Sequence, residues 1–164
     1  MALPRGSTGH QRYGCAARCA ATLELLEQIE AVNTGTPLER FLAEIRTDIA
    51  ADRQELQLLM DRLGVAESRT RKASAWLAEK VTELKLRLDD PAGGELRLFE
   101  SLEALSLGIE GKRALWLALA AVADVEPAQQ LLDYRRMSRS AEEQRSRVEA
   151  VRLETAKRAL IPGR

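Results

Sequence analysis

Apolar residues recur every three or four positions over most of the 164-residue chain. The pattern is clearest from Pro37 to Leu63, where one stripe contains Leu38, Phe41, Leu42, Ile45, Ile49, Leu56, Leu59 and Leu63. Such spacing is typical of a helix buried along one side, because an α-helix turns once every ~3.6 residues. Ala, Leu, Glu and Arg dominate the composition and favour helices, whereas residues that favour strands are few. We therefore expect an all-α fold.

The stripes and the breaks between them predict five helices, over about residues 18–33, 37–63, 68–88, 95–123 and 127–160. Thr36 is a suitable N-cap for the second helix, and Pro37 suits its first helical position. Gly64 is placed to end that helix. Short connections make neighbouring helices antiparallel. The predicted architecture is an antiparallel four-helix bundle with an additional helix, in a single domain over residues 18–160.

Residues 1–17 precede the first predicted helix and are polar and rich in glycine, so we expect a disordered tail. The two cysteines, Cys15 and Cys19, have a poor spacing for a disulfide within one helix and lack the further ligands of a zinc site. The longest apolar run, Ala114 to Ala123, is about half a membrane span. No secretory signal is evident. These features favour a cytoplasmic protein without membrane contact.

The charge of the chain is balanced overall but uneven along its length. Residues 135–164 contain nine Lys or Arg and four Glu, so the last predicted helix is basic. That helix and the segment RKASAW, residues 71–76, are compatible with docking on nucleic acid. The same composition is typical of a solvated helix face whose charges pair within a bundle. We favour this second interpretation.

Three charged residues fall within the apolar stripes. Asp52, with Asp48 beside it, continues the stripe of the second helix; Lys112 continues that of the fourth, and Arg145 that of the fifth. An unpaired buried charge is costly, so each should pair or reach water. We expect Lys112 or Arg113 to pair with Asp52 or Asp48 across the bundle. The charges then either line a binding cavity or fix the register of the helices, and we favour the structural role.

Two glycines, Gly108 and Gly111, come directly before Lys112 in the fourth predicted helix. They allow another helix to approach closely or allow this one to bend. The same helix is apolar around most of its circumference, which is typical of a central helix.

The sequence has no nucleotide-binding loop, hydrolase nucleophile motif or zinc-protease motif. We therefore predict no catalytic residues and no cofactor.

The order and lengths of the predicted helices, with the phrase FLAEIRTDIAADRQELQLLMDRLG, resemble the YciE/YciF-type ferritin-like stress proteins of bacteria. The resemblance covers about residues 18–160 and implies a ferritin-like bundle in a stress setting. Di-iron bundles of that fold use Glu-x-x-His from two helices and one Glu from each of two others. This chain has no Glu-x-x-His, and its only histidine, His10, lies in the tail. The resemblance therefore implies a bundle whose iron site is missing.

Two functions follow from these features. The first is a non-enzymatic bundle that acts through protein–protein contacts, with a protein partner or with further copies of itself. The alternative is a bundle that binds a divalent metal pair of the di-iron or di-manganese type through carboxylates. Its ligands would come from Glu44, Asp48, Asp52, Glu100 and Glu103, since carboxylates suit hard cations. Lys112 and Arg145 would lie nearby and repel a metal ion.

Overall fold

The computed structural model describes residues 22–62 and 94–161. The predicted tail, both cysteines, the predicted helix 68–88 with RKASAW, and Gly64 lie outside the described residues. Within them, α1 covers residues 22–32, and it is followed by α2 (Pro37–Arg62), α3 (Gly94–Val125), a 3-10 turn (Pro127–Gln129) and α4 (Tyr134–Ala159). No strand occurs in these two ranges. The predicted all-α class is confirmed for the described part of the chain.

A tight turn connects α1 to α2. Gly35 has a φ of 80°, in the left-handed region that glycine adopts without strain. Thr36 Oγ1 accepts a hydrogen bond from the Glu39 backbone N–H at 3.3 Å. The Glu39 carboxylate in turn accepts one from the Gly35 N–H at 2.5 Å. This reciprocal arrangement resembles a capping box, and the predicted N-cap at Thr36 is confirmed.

The last helix begins later than the sequence predicts. Instead of a helix running from Pro127, the chain makes a 3-10 turn and then a short non-helical connection before α4 begins at Tyr134. The Asp133 side chain accepts a hydrogen bond from the Arg136 N–H at 2.9 Å and acts as the N-cap. Leu131 and Leu132 lie in this connection and pack against the core. The predicted start was wrong because Asp133 supplies a stronger starting signal than Pro127.

The core consists of two clusters of buried apolar side chains. The Leu105 cluster contains Leu25, Leu26, Ile29, Leu42, Ile45, Ile49, Leu102, Leu105, Ile109, Ala141 and Val148. The Trp116 cluster contains Leu56, Leu59, Met60, Leu115, Trp116, Leu119, Ala120, Ala123, Tyr134 and Met137. Both clusters draw on α2, α3 and α4, and α1 joins only the first.

Contacts at both ends join α3 and α4. Arg135 lies 2.6 Å from Asp124 at one end, and Arg158 lies 3.2 Å from Glu95 at the other. α1 reaches α3 at Gly108, where an added Cβ would lie 3.0 Å from the Thr22 hydroxyl oxygen. Gly108 therefore permits close approach of a neighbouring helix.

α3 is not buried on most sides, contrary to the expectation for so apolar a helix. Leu107 is 68 % exposed, Leu117 44 % and Val125 86 %. Its buried residues lie on the face that meets α1, α2 and α4. In neither described range is a helix long and apolar enough to cross a bilayer.

Candidate functional site

A cluster of three polar side chains lies inside the bundle. Asp52 comes from α2, Lys112 from α3 and Gln144 from α4, and they are only 7 %, 3 % and 3 % exposed. On α2 and on α3 the charged residue separates members of the Leu105 cluster from members of the Trp116 cluster. We call these three residues the polar cluster. It forms a hydrophilic layer between the two apolar parts of the core.

Every member of the polar cluster is hydrogen-bonded to the other two. The Lys112 ammonium group donates to the Asp52 carboxylate and to the Gln144 side-chain oxygen, the latter at 2.5 Å. Gln144 Nε2 donates to Asp52 Oδ2 at 2.9 Å and lies 3.4 Å from the Ser140 hydroxyl. A buried ion pair recovers its desolvation cost only when further hydrogen bonds satisfy the remaining donors and acceptors. Gln144 supplies those bonds by accepting from the cation and donating to the anion.

The structure brings together Lys112 and Asp52, one of the pairs that the stripe pattern suggests. Arg113 lies outside the polar cluster and makes two hydrogen bonds of 2.9 Å to Glu110. Adjacent residues of a helix point about 100° apart, so Lys112 and Arg113 cannot both face the core. The hydrogen bonds from Arg113 are the main cause that lowers the pKa of Glu110.

Arg145 and Asp48 also lie outside the polar cluster, contrary to expectation. The Arg145 side chain is 44 % exposed and lies 3.7 Å from Glu110. Asp48 is part-exposed and pairs with Arg147 at 2.9 Å. The inward position on α4 belongs to Gln144, the neighbour of Arg145 in sequence. Both residues fit the three-and-four spacing between Ala141 and Val148, so the apolar stripe alone did not distinguish them.

Four of the five carboxylates considered as metal ligands are engaged in separate contacts with cations. Arg147 binds both Glu44 and Asp48, at 2.8 and 2.9 Å. Asp52 is held by Lys112. Glu103 lies 3.9 Å from Arg152, and Glu100 is part-buried on α3. Among residues 22–62 and 94–161, no group of three or more His, Cys, Asp or Glu side chains is arranged to hold a metal ion.

A second polar contact joins α3 to α4 beside the Leu105 cluster. The buried Ser106 hydroxyl donates to Glu149 at 2.5 Å, and Arg152 donates to the same carboxylate at 2.8–3.1 Å. The Arg152 guanidinium also lies over the Phe99 ring, 5.5 Å from its centroid. The hydrogen bonds from Arg152, followed by that from Ser106, hold the pKa of Glu149 below its ordinary value. Sequence reasoning missed this contact because no apolar stripe marks a serine and a glutamate as partners.

The basic charge of α4 is largely balanced within the bundle. Six of its eight Lys and Arg side chains form ion pairs: Arg135, Arg145, Arg147, Arg152, Lys157 and Arg158. Their acidic partners come from α2, α3 and α4 itself. The positive charge that α4 leaves unpaired at the surface is therefore much smaller than its sequence suggests.

Comparisons with known protein families, with curated proteins and with solved structures find no match for this chain. The polar cluster, the ion pairs of α4 and the exposed apolar residues of α3 are therefore the features that bear on function.

Proposed function

We propose that this protein is a non-enzymatic, ferritin-like, antiparallel four-helix bundle that acts through protein–protein contacts. The observation that carries the proposal is the position of Lys112. Its ammonium group is the buried cation at the centre of the bundle, and it binds Asp52 and Gln144 there. In di-iron bundles of this class, metal ions bound by inward carboxylates occupy the core. In this protein a fixed side-chain cation satisfies the inward carboxylate of Asp52 instead.

The contacts support an antiparallel arrangement of α4 against both α2 and α3. The first residues of α4 lie near the end of α3, as Arg135 and Asp124 show, while Arg158 lies near the start of α3. Asp48 of α2 pairs with Arg147 of α4. Asp52, one turn further along α2, contacts Gln144, which comes earlier in α4. This order of contacts supports opposite directions for the two helices. It follows that α2 and α3 run in the same direction.

This shared direction supports the ferritin-like part of the proposal. The end of α2 lies near the end of α3, because Arg62 donates to the Leu131 carbonyl at 3.1 Å. The start of α3 is at the other end of the bundle, so the chain leaves α2 at one end and enters α3 at the other. A four-helix bundle with one long crossover of this kind is the ferritin-like topology. Between α2 and α3 the sequence predicts a further helix over about residues 68–88.

The charges and exposed apolar residues support contacts with protein. Internal ion pairs occupy most of the basic groups of α4, which disfavours the nucleic-acid alternative. Leu107, Leu117 and Val125 are large apolar side chains exposed on α3, with the exposed small residues Ala114, Ala118 and Ala121 between them. An extended exposed apolar patch is typical of interaction sites. The stress setting and the cytoplasmic location are the biological context that the sequence resemblance and composition imply.

Metal analysis tests the proposal. The protein is purified without chelator, incubated separately with Fe²⁺, Mn²⁺ and Zn²⁺, desalted, and analysed for bound metal. We expect no metal above the buffer background in the wild type. One or more ions per chain, lost in Asp52→Ala but kept in the exposed-site control Asp124→Ala, would overturn the proposal and favour the carboxylate metal-binding bundle.

A further inference from the structure

A second apolar stripe follows the outer side of α3, away from the core. It contains Leu107, Gly111, Ala114, Ala118, Ala121 and Val125, and we call it the outer seam. The steps between its members alternate between four and three residues throughout. This is the heptad spacing of helices that pack along a shared seam. α3 therefore has one stripe for its own core and another that points away from it.

The outer seam is exposed over most of its length. Leu107, Val125 and the three alanines are exposed, Gly111 is part-buried, and Leu117 lies exposed on its flank. The buried positions of α3, such as Leu105, Ile109 and Trp116, fall on the opposite side of the helix. A heptad seam of apolar residues facing solvent is expected to have a helical partner.

We propose that the partner is a second copy of this chain, whose outer seam packs against the first in the antiparallel direction. This inference rests on the proposed function and names one contact through which it acts. The pattern is self-complementary about position 116: Leu107 falls opposite Val125, Gly111 opposite Ala121, and Ala114 opposite Ala118. The large residues thus meet at the two ends and the small residues meet in the middle, where the two backbones approach most closely. A two-fold contact requires this self-complementarity of a single surface.

The charges around the outer seam favour the antiparallel direction. In a parallel pair, Glu100 and Glu103, which continue the same side of α3 before Leu107, would each lie opposite their own copy. In the antiparallel pair these glutamates lie beyond the partner's Val125. Glu110 and Asp124 flank the seam and already pair with Arg113 and Arg135, at 2.9 and 2.6 Å. The contact therefore buries no unpaired charge, which would be costly.

The length of the outer seam predicts a modest affinity. From Leu107 to Val125 the helix rises about 27 Å. A contact between two helices over that length is smaller than the ~1,600 Å² of a standard stable interface. We expect a monomer–dimer equilibrium that depends on protein concentration.

Sedimentation equilibrium of the full chain over a range of concentrations tests the dimer. Ala118→Glu places a charge in the middle of the outer seam, and we expect its dimer dissociation constant to rise at least tenfold. The matched control is Ala51→Glu, which introduces the same charge at an exposed alanine of α2, a helix that does not contribute to the outer seam. Circular dichroism of both variants verifies that the fold is kept. A wild type that stays monomeric throughout, or equal effects of the two variants, would overturn the proposal.

Cysteine cross-linking tests the direction in a Cys15→Ser, Cys19→Ser background. A chain with Leu107→Cys, mixed with a chain carrying Val125→Cys, should form a mixed disulfide on mild oxidation. Leu107→Cys alone should not, because the two copies of that position lie about 27 Å apart in the antiparallel pair. Efficient Leu107→Cys homodimers without the mixed product would overturn the antiparallel pairing.

The two proposals fail in different ways. A metal-free protein that remains monomeric would overturn the dimer but leave a bundle that contacts a different protein. A protein that binds metal through Asp52 would overturn the proposed function, whatever its oligomeric state.

Discussion

Asp52 and Lys112 lie sixty residues apart in the chain and form an ion pair in which neither side chain is more than 9 % exposed. Transfer of the two charges out of water costs several kcal/mol per ion, about the size of their mutual attraction. The pair therefore adds little net stability over an apolar pair of the same volume. It does penalise any shift of α2 along α3, because a shift would leave both charges buried without partners. We interpret the pair as a device that fixes the register of these helices.

Replacing Gln144 tests whether the polar cluster works as a unit. Gln144→Met preserves the volume but removes one acceptor from Lys112 and one donor from Asp52. We expect the free energy of unfolding in urea to fall by about 1–3 kcal/mol, the cost of leaving a buried polar group unsatisfied. Ser140→Ala is the control, because its hydroxyl touches the cluster only through the 3.4 Å contact to Gln144. Equal losses in the two variants would show that Gln144 has no special role.

Gly108→Ala tests the close approach of α1 to α3. In an exposed helix this change stabilises by about 0.5–1 kcal/mol. Here the added methyl group would lie 3.0 Å from the Thr22 hydroxyl oxygen, so we expect the free energy of unfolding to fall. In a Thr22→Ala background the crowding is removed and the same change should stabilise. A stabilisation of equal size in both backgrounds would contradict the close contact.

Asp133→Ala tests the start of α4. The side chain of Asp133 accepts a hydrogen bond from the Arg136 N–H, and loss of such a cap costs about 1 kcal/mol. Thermal unfolding should show that loss for Asp133→Ala but only a small change for Asp133→Asn, since asparagine also caps helices well. If both substitutions destabilise equally, the carboxylate acts through its charge rather than as a cap.

The Glu149 contact predicts a specific dependence of stability on pH. Because the pKa of Glu149 is lower in the folded protein than its ordinary value of 4.5, the folded state holds the proton less tightly than the unfolded state. The stabilisation is therefore complete above the ordinary pKa and is lost as the pH falls through the lower, folded value. Glu149→Gln should reduce the loss of unfolding free energy on acidification, whereas Glu143→Gln, an exposed change on the same helix, should not. An unchanged acid profile in Glu149→Gln would contradict this prediction.

Much of the fold followed from spacing that the sequence displays. The apolar stripe of α2 and the cap at Thr36 are local signals, and both appear in the structure. Asp52 and Lys112 were among the predicted partners because each interrupts an apolar stripe with an opposite charge, but the spacing did not exclude Asp48 or Arg113. Spacing could not decide between Gln144 and Arg145, since both fit the stripe of α4 and the choice depends on how α4 is rotated against two other helices.

The exposed side of α3 could not be predicted for a different reason. When a helix is apolar almost all round, its hydrophobic pattern does not indicate which side faces the core. Packing of α1, α2 and α4 selects the side with Leu105 and Trp116 and leaves Leu107 and Val125 outside. The start of α4 was missed because Pro127 and Asp133 both resemble helix starts. Only Asp133 is followed by a helix whose apolar residues, such as Tyr134 and Met137, pack into the core.

The most direct test of the account is a double-mutant cycle on Lys112 and Asp52, measured as the free energy of unfolding in urea. We expect Lys112→Met and Asp52→Leu each to cost about 3–5 kcal/mol, because each leaves a buried polar partner uncompensated. The double variant should be far more stable than the sum of the two losses implies, and it should fold even if a single variant does not. If Lys112→Met leaves stability unchanged while Asp52→Leu lowers it sharply, the ion pair does not organise the core and the account is wrong.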